Sequence, residues 1–69
     1  MTTVLLNVPD ISCEHCARTI RRALAPIEGI DDLAVDIPAK QVRVTYDASV
    51  VAPERMIEIL RTEGYPVAP

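Results

Sequence analysis

The sequence predicts an α+β fold in which strands and helices follow the order β-α-β-β-α-β. Hydrophobic residues alternate with polar ones along several stretches, which is typical of half-buried strands. Along two other stretches they recur at helical spacing, which is typical of amphipathic helices. Proline and glycine residues lie at the boundaries between these stretches, where a strand or helix is expected to end. We therefore expect two helices packed on one face of a four-stranded antiparallel sheet.

The first strand is predicted over residues 2–8, where β-branched and aliphatic residues predominate. Val4, Leu6 and Val8 fall on one face of this strand, because successive side chains point to opposite faces. Pro9 is expected to end the strand, since proline has no backbone N–H to donate to a neighbouring strand.

The first helix is predicted to begin near Cys13, where the hydrophobic spacing changes from strand-like to helical. Its inward positions are Cys16, Ile20, Ala23, Leu24 and Ile27. Asp10 or Ser12 is expected to cap its N-terminus, where the first backbone N–H groups have no partner inside the helix. Pro26 and Gly29 are expected to close it.

A β-hairpin is predicted after the first helix. Residues 30–37 and 41–46 both alternate between apolar and polar side chains, and residues 38–40 form a short reversal between them. The inward positions of the hairpin are Leu33, Val35, Ile37, Val42, Val44 and Tyr46. Two strands that alternate in this way can bury one face of a sheet and leave the other in water.

A second helix and a short last strand complete the predicted fold. Pro53 suits the first turn of the helix, and Gly64 suits its end. The inward stripe of the helix is Met56, Ile57 and Leu60. Residues 65–67 are predicted as a fourth strand at the sheet edge, because Pro66 lies within it. The whole order is the split βαβ, or ferredoxin-like, arrangement, and we expect residues 1–69 to form a single domain.

Length, charge and cysteine content narrow the classes of function. A chain of 69 residues has room for one small core but not for a substrate cavity as well, so we do not expect an enzyme. The net charge of −3 argues against nucleic acid as the partner. No apolar run approaches the length of a membrane span, so we expect no direct membrane insertion. Two cysteines cannot build a disulfide-rich secreted scaffold, which favours a cytoplasmic protein with reduced thiols.

Both cysteines of the chain, Cys13 and Cys16, lie at the predicted start of the first helix. This spacing brings two sulfurs within reach of one ion, and a helix N-terminus stabilises the thiolate form that binds metal. Two soft thiolates suit Cu(I), whereas a structural zinc site needs four protein ligands. Hg(II) would mimic Cu(I), and Zn(II) would fit if two molecules pooled their cysteines. We therefore expect a monomer, with a metal-bridged dimer as the alternative.

Two other interpretations of the cysteine pair stay open. The Cys-x-x-Cys spacing also occurs in thioredoxin-like redox proteins, although a chain of 69 residues is too short for that fold. A small dithiol redox protein is therefore an alternative function. The remaining interpretation is that both cysteines are buried and chemically inert. The polar neighbours Asp10, Ser12, Glu14 and His15 argue against it.

Four charged or titratable side chains near the cysteines have two interpretations each. His15 is either an exposed residue at the helix start or an auxiliary ligand or partner contact, because imidazole also binds copper. Arg18, Arg21 and Arg22 are either a solvated helix face or a docking patch for an acidic protein partner.

The chain resembles the heavy-metal-associated domain family, which includes small copper chaperones and the N-terminal domains of copper-transporting P-type ATPases. The resemblance covers the whole chain. It rests on Ile11-Ser12-Cys13-Glu14-His15-Cys16, the Ile20/Ala23/Leu24 spacing, Gly29-Ile30, Val42-Arg43-Val44-Thr45-Tyr46-Asp47 and Gly64-Tyr65-Pro66-Val67. The resemblance implies that Cys13 and Cys16 carry Cu(I). It also implies transfer by ligand exchange to a metal-transporting P-type ATPase or another dithiolate acceptor.

Four positions refine what the resemblance implies. Asp10 and Ile11 stand where the family usually has Gly-Met, and Ile11 is expected to pack inward in place of that methionine. Ser12 stands where zinc-selective relatives tend to carry an acid, which favours copper. Tyr65 falls in the loop near the metal, where bacterial members commonly have tyrosine. Its side chain either contributes to the site or only packs.

Overall fold

The computed structural model describes residues 1–68 of the chain. Three strands and two helices form in the order β1 (Thr2–Asn7), α1 (Glu14–Leu24), β2 (Ile30–Asp36), β3 (Gln41–Tyr46) and α2 (Pro53–Thr62). The predicted hairpin and both predicted helices are therefore confirmed, although α1 ends at Leu24 and does not reach Ile27, which was predicted as its last inward position. Neither helix in this part of the chain has the length and apolar character needed to span a bilayer.

The sheet is antiparallel, and β3 lies in its centre between β1 and β2. Val42 of β3 pairs with Leu6 of β1 on one side and with Val35 of β2 on the other. Leu6 and Val42 are buried, whereas the neighbouring side chains of Leu5 and Arg43 are exposed. Because side chains alternate along a strand, one face of the sheet is buried and the other lies in water.

The helices cover the buried face of the sheet. Ile20 and Leu24 of α1 and Met56 and Leu60 of α2 are fully buried and belong to one hydrophobic cluster with the inward residues of the sheet. Cys16 also belongs to this cluster. The first turn of α1 is therefore anchored directly to the core.

The predicted fourth strand is not found in the described part of the chain. Residues 65–67 form no strand, and only Ala68 pairs with β1, through an isolated bridge to Asn7 in which its N–H donates to the Asn7 carbonyl at 2.7 Å. The Tyr65 N–H instead donates to the Leu60 carbonyl at the end of α2. Pro66 has no N–H, so neither residue can donate to a ladder of hydrogen bonds with β1.

The predicted capping of α1 by Asp10 or Ser12 is also not observed. Cys13 is the N-cap residue, in extended conformation (φ −161°, ψ 177°), and no side chain caps the helix. The Ser12 hydroxyl contacts the sulfur of Cys16 instead. The helix start therefore keeps its backbone N–H groups directed at the region of the cysteines.

Candidate metal centre

The two cysteines lie at the N-terminus of α1 with their sulfur atoms 4.0 Å apart. Both are free thiols. Cys13 is exposed as the N-cap residue, and Cys16 is 7% exposed in the first turn of the helix. One sulfur can therefore be reached by another molecule, while the other is held against the core.

The loop before the helix is anchored from below by Ile11, which is fully buried. This confirms the inward packing expected for Ile11. The backbone N–H of Ile11 donates to the Val8 carbonyl at 3.1 Å, so the chain turns sharply after Pro9. Because Ile11 enters the same cluster as Cys16, the core fixes the loop and the first helical turn relative to each other.

Ser12 and Asp10 surround the sulfur of Cys16. The Ser12 hydroxyl lies 3.7 Å from the sulfur, and the thiol donates to the Asp10 carbonyl at 3.9 Å. Asp10 therefore contributes its backbone carbonyl rather than its carboxylate. Ser12 contacts Cys16 with its side chain, whereas the sequence spacing alone predicted that this side chain would cap the helix.

The pKa of Cys16 is lowered from 9.0 to about 6. The largest cause is hydrogen bonding from the Tyr65 hydroxyl, followed by the backbone and then the side chain of Ser12, and burial opposes the shift. In the reduced, metal-free protein Cys16 is therefore largely thiolate at neutral pH.

Tyr65 reaches the cysteines from the opposite end of the chain. Gly64, with φ 90°, turns the backbone at the end of α2, and the Tyr65 N–H bonds to the Leu60 carbonyl at 2.8 Å. The pKa of the Tyr65 phenol is raised, chiefly by its hydrogen bond to Cys16. Tyr65 is half-buried and packs against the core, so the same side chain both packs and lies beside the sulfur.

The structure leaves His15 apart from the two cysteines. Its side chain is exposed, and its carbonyl accepts a hydrogen bond from the Thr19 hydroxyl at 3.0 Å. Within residues 1–68 no group of three or more His, Cys, Asp or Glu side chains could share one ion. The auxiliary-ligand role of His15 therefore stays a prediction without a contact behind it.

The three arginines of α1 project into solvent. Arg18, Arg21 and Arg22 are exposed, and none of them forms an ion pair with another described residue. Their positions are compatible with both interpretations, a solvated face and a docking patch. The patch role stays a prediction.

Lys40 is the residue at this site that the sequence pattern did not indicate. It lies in the β2–β3 turn, and its ammonium donates to the carbonyl of Ile11 at 2.9 Å and to that of Pro9 at 3.4 Å. The available signal was the hairpin register: pairing Asn7 with Gln41 brings this turn next to the end of β1. The direction of the side chain could not be inferred from that register.

A family model for the heavy-metal-associated domain matches residues 5–66. The copper chaperone CopZ of Staphylococcus haemolyticus is 39% identical over 67 residues, which cover 97% of this chain and 98% of that one. A solved structure described as the CopZ metallochaperone is 36% identical, with a TM-score of 0.93 over 97% of this chain and 100% of that one. A chain in the solution structure of the Atx1-Cu(I)-Ccc2a complex is 26% identical, with a TM-score of 0.85 over 96% and 90% of the two chains.

Proposed function

The chain belongs to the heavy-metal-associated domain family, and we propose that it is a Cu(I) carrier that holds the ion between Cys13 and Cys16. The observation that supports this most directly is the pair of sulfurs 4.0 Å apart at the start of α1. A metal–thiolate bond is about 2.3 Å long for zinc, so one ion midway between two sulfurs needs them about 4.6 Å apart or closer. The two sulfurs, 4.0 Å apart, already meet this limit.

The ligand set favours Cu(I) over other ions. Soft thiolates select Cu(I), and the surroundings of the two sulfurs offer no third side-chain ligand within the described residues. A structural zinc site would need four protein ligands. The similarity to copper chaperones points in the same direction. The protein is a metal carrier rather than an enzyme, as are those relatives.

Transfer would proceed by exchange of thiolate ligands without a change in the oxidation state of copper. A thiolate of the acceptor bonds to the ion first, and the bond between copper and Cys13 then breaks, because Cys13 is the exposed ligand. A second acceptor thiolate then displaces Cys16. The acceptor would be a metal-transporting P-type ATPase or another protein with paired thiolates. The arginines Arg18, Arg21 and Arg22 would orient an acidic acceptor, an effect that weakens as salt screens their charge.

Anaerobic Cu(I) titration of the reduced protein, in competition with a chromophoric chelator, tests the proposal. We expect one Cu(I) per chain, and we expect Cys13→Ser and Cys16→Ser each to abolish competition with the chelator. Glu14→Gln serves as the matched control, since it alters a residue between the two cysteines without removing a sulfur or the imidazole of His15. Unchanged Cu(I) affinity in either cysteine variant would show that the site lies elsewhere.

Zn(II) and Hg(II) are the alternative cargoes, and the same protein can discriminate among them. A preference for Zn(II) over Cu(I) at one ion per chain would replace the copper assignment. Size-exclusion chromatography would show whether the protein dimerises when metal is added. If it does, a metal-bridged dimer would replace the monomer that we expect. The bridge between Ala68 and Asn7 also supports a four-stranded, ferredoxin-like single domain as part of this proposal.

A dithiol redox protein is the second candidate, and the lowered pKa of Cys16 favours it. The thiolate is the form that attacks a disulfide, so a cysteine that is ionised at neutral pH can take part in thiol–disulfide exchange. Catalysed reduction of a protein disulfide at a rate well above that of free dithiol would support this function. Stoichiometric Cu(I) binding without such catalysis would exclude it.

A further inference from the structure

Lys40 joins the β2–β3 turn to the loop that precedes Cys13. Its ammonium lies 2.9 Å from the Ile11 carbonyl oxygen and 3.4 Å from that of Pro9, and its own carbonyl accepts the Val8 N–H at 2.9 Å. The loop is therefore bonded to the turn at both its beginning and its end. Hydrogen bonds from an ammonium to carbonyl oxygens are among the stronger ones in proteins.

The backbone of Lys40 is in a conformation that lysine rarely adopts. Its φ of 55° lies in the left-handed region. Within the described part of the chain, Lys40 is the only non-glycine residue with a positive φ. Turns usually place glycine, asparagine or aspartate there. An unfavourable backbone conformation of this kind persists when tertiary contacts compensate for its cost. At Lys40 the hydrogen bonds of the ammonium provide that compensation.

The peptide that Lys40 contacts also faces the cysteine site. No peptide bond in residues 1–68 is cis, so the carbonyl of Ile11 and the N–H of Ser12 point in opposite directions across one planar group. Lys40 lies on the carbonyl side of this peptide, and the hydroxyl of Ser12, the next residue, lies 3.7 Å from the Cys16 sulfur. The Ser12 backbone also stabilises that sulfur as a thiolate.

We propose that Lys40 is a positioning residue for the metal site: its ammonium holds the Ile11 carbonyl and thereby keeps Ser12 turned toward the sulfur of Cys16. The inference rests on the proposed Cu(I) function of Cys13 and Cys16. Ile11 fixes the loop from the core side through burial, and Lys40 fixes it from the solvent side through charge. The loop is then ordered before the ion arrives, which lowers the cost of binding.

The test compares Lys40→Met with Arg43→Met, which removes an exposed cation from the neighbouring strand without touching the loop. Lys40→Gly is the second variant, because glycine adopts a φ of 55° without strain and the turn persists. Lys40→Arg restores a cation. Two readouts are measured on each: the Cu(I) dissociation constant, and the NMR shift and hydrogen exchange of the Ser12 amide in the metal-free protein.

Water screens the charge of the exposed Lys40 ammonium, so we expect loss of its contacts to weaken binding roughly threefold to tenfold, as for an ordinary hydrogen bond. We expect that loss of Cu(I) affinity, a shifted Ser12 amide signal and faster Ser12 exchange in both Lys40→Met and Lys40→Gly. Arg43→Met should match the parent protein, and Lys40→Arg should recover at least half of each change.

Either of two results overturns the inference. One is that both Lys40 variants match Arg43→Met on the two readouts, and the other is that Lys40→Arg behaves like Lys40→Met. Cu(I) binding by the parent protein and by Cys13→Ser shows whether the proposed function holds, independently of the role of Lys40. If the parent binds Cu(I) through its cysteines and the Lys40 variants bind it equally tightly with an unchanged Ser12 amide, only the positioning role is wrong. The Ser12 amide readout stands even if the cargo is another metal.

Discussion

At the scale of single residues, the two cysteines have different surroundings despite their short spacing. Cys13 is exposed, whereas Cys16 is buried among Ser12, Tyr65 and the Asp10 carbonyl. A carrier needs both properties, because one ligand must meet the incoming acceptor while the other keeps hold of the ion. The division of roles that we propose for the two sulfurs follows from their burial and not from their order in the chain.

The Tyr65 hydroxyl is the largest cause of the lowered Cys16 pKa, so Tyr65→Phe should raise that pKa from about 6 toward 9.0 in the reduced, metal-free protein. Thiolate absorbance in the ultraviolet, followed against pH, measures this shift. Tyr46→Phe is the matched control, since Tyr46 is a buried tyrosine on β3. Equal titration curves for Tyr65→Phe and the parent would contradict the assignment of Tyr65.

The same shift makes stability depend on pH. The folded Cys16 thiol holds its proton more weakly than the unfolded one, so the unfolded chain binds more protons between pH 6 and pH 9. Stability therefore rises with pH across this window, and the contribution of Cys16 is lost as pH falls through 6. Urea unfolding of the parent protein should show this slope, and Tyr65→Phe should flatten it.

At the scale of elements, two glycines with positive φ lie in the connections next to a strand and a helix. Gly29 precedes β2 with φ 96°, and Gly64 follows α2 with φ 90°. Both conformations favour glycine, but their surroundings differ. A Cβ at Gly29 would lie 2.9 Å from the Val50 side chain, whereas a Cβ at Gly64 would meet nothing within 4 Å.

Gly29→Ala and Gly64→Ala therefore form a matched pair that separates backbone strain from steric overlap. Gly64→Ala should cost about 1–2 kcal/mol of unfolding free energy, the usual penalty of the left-handed region. Gly29→Ala should cost about 1–3 kcal/mol more, because the added methyl group overpacks a contact with Val50. Urea unfolding measures both values. Equal losses at the two positions would mean that Val50 moves away without cost.

At the scale of the whole molecule, one aliphatic core supports both the fold and the site. A chain of this size is expected to have about 3–10 kcal/mol of total stability. The buried cluster contains Ile11 and Cys16 from the site region together with Met56 and Leu60 from α2. Loss of packing in α2 is therefore expected to reach the cysteine loop.

Leu60→Ala should lower the unfolding free energy by about 2–5 kcal/mol, since Leu60 is fully buried. Ile57→Ala on the same helix is the matched control. Ile57 is 37% exposed and not buried as the sequence pattern predicted, so its replacement should cost less than about 1 kcal/mol. Chemical denaturation followed by circular dichroism measures both changes. A loss at Ile57 equal to that at Leu60 would contradict the packing of α2 described here.

Local sequence pattern was sufficient for most elements and for the position of the cysteine pair. Period-two alternation placed β3 at residues 41–46, and the change of period at Cys13 placed the start of α1. It was insufficient for the capping of α1 and for the last strand. Ser12 contacts Cys16 instead of capping, and the Tyr65 N–H bonds to Leu60 instead of a neighbouring strand. In both cases a hydrogen-bonding group, the Ser12 hydroxyl or the Tyr65 N–H, could bond to more than one partner. The tertiary structure determines which partner lies within reach.

The chemistry of the site divides in the same way. The residue types and spacing of Cys13 and Cys16 already predict two nearby sulfurs at a helix start, because only two residues separate the cysteines and the helical pattern begins between them. Which sulfur is exposed, which is stabilised by Tyr65, and which carbonyl is held by Lys40 are settled only by folding. Those contacts join residues far apart in the chain, such as Lys40 and Ile11, and no local pattern records the direction of a long side chain across such a separation.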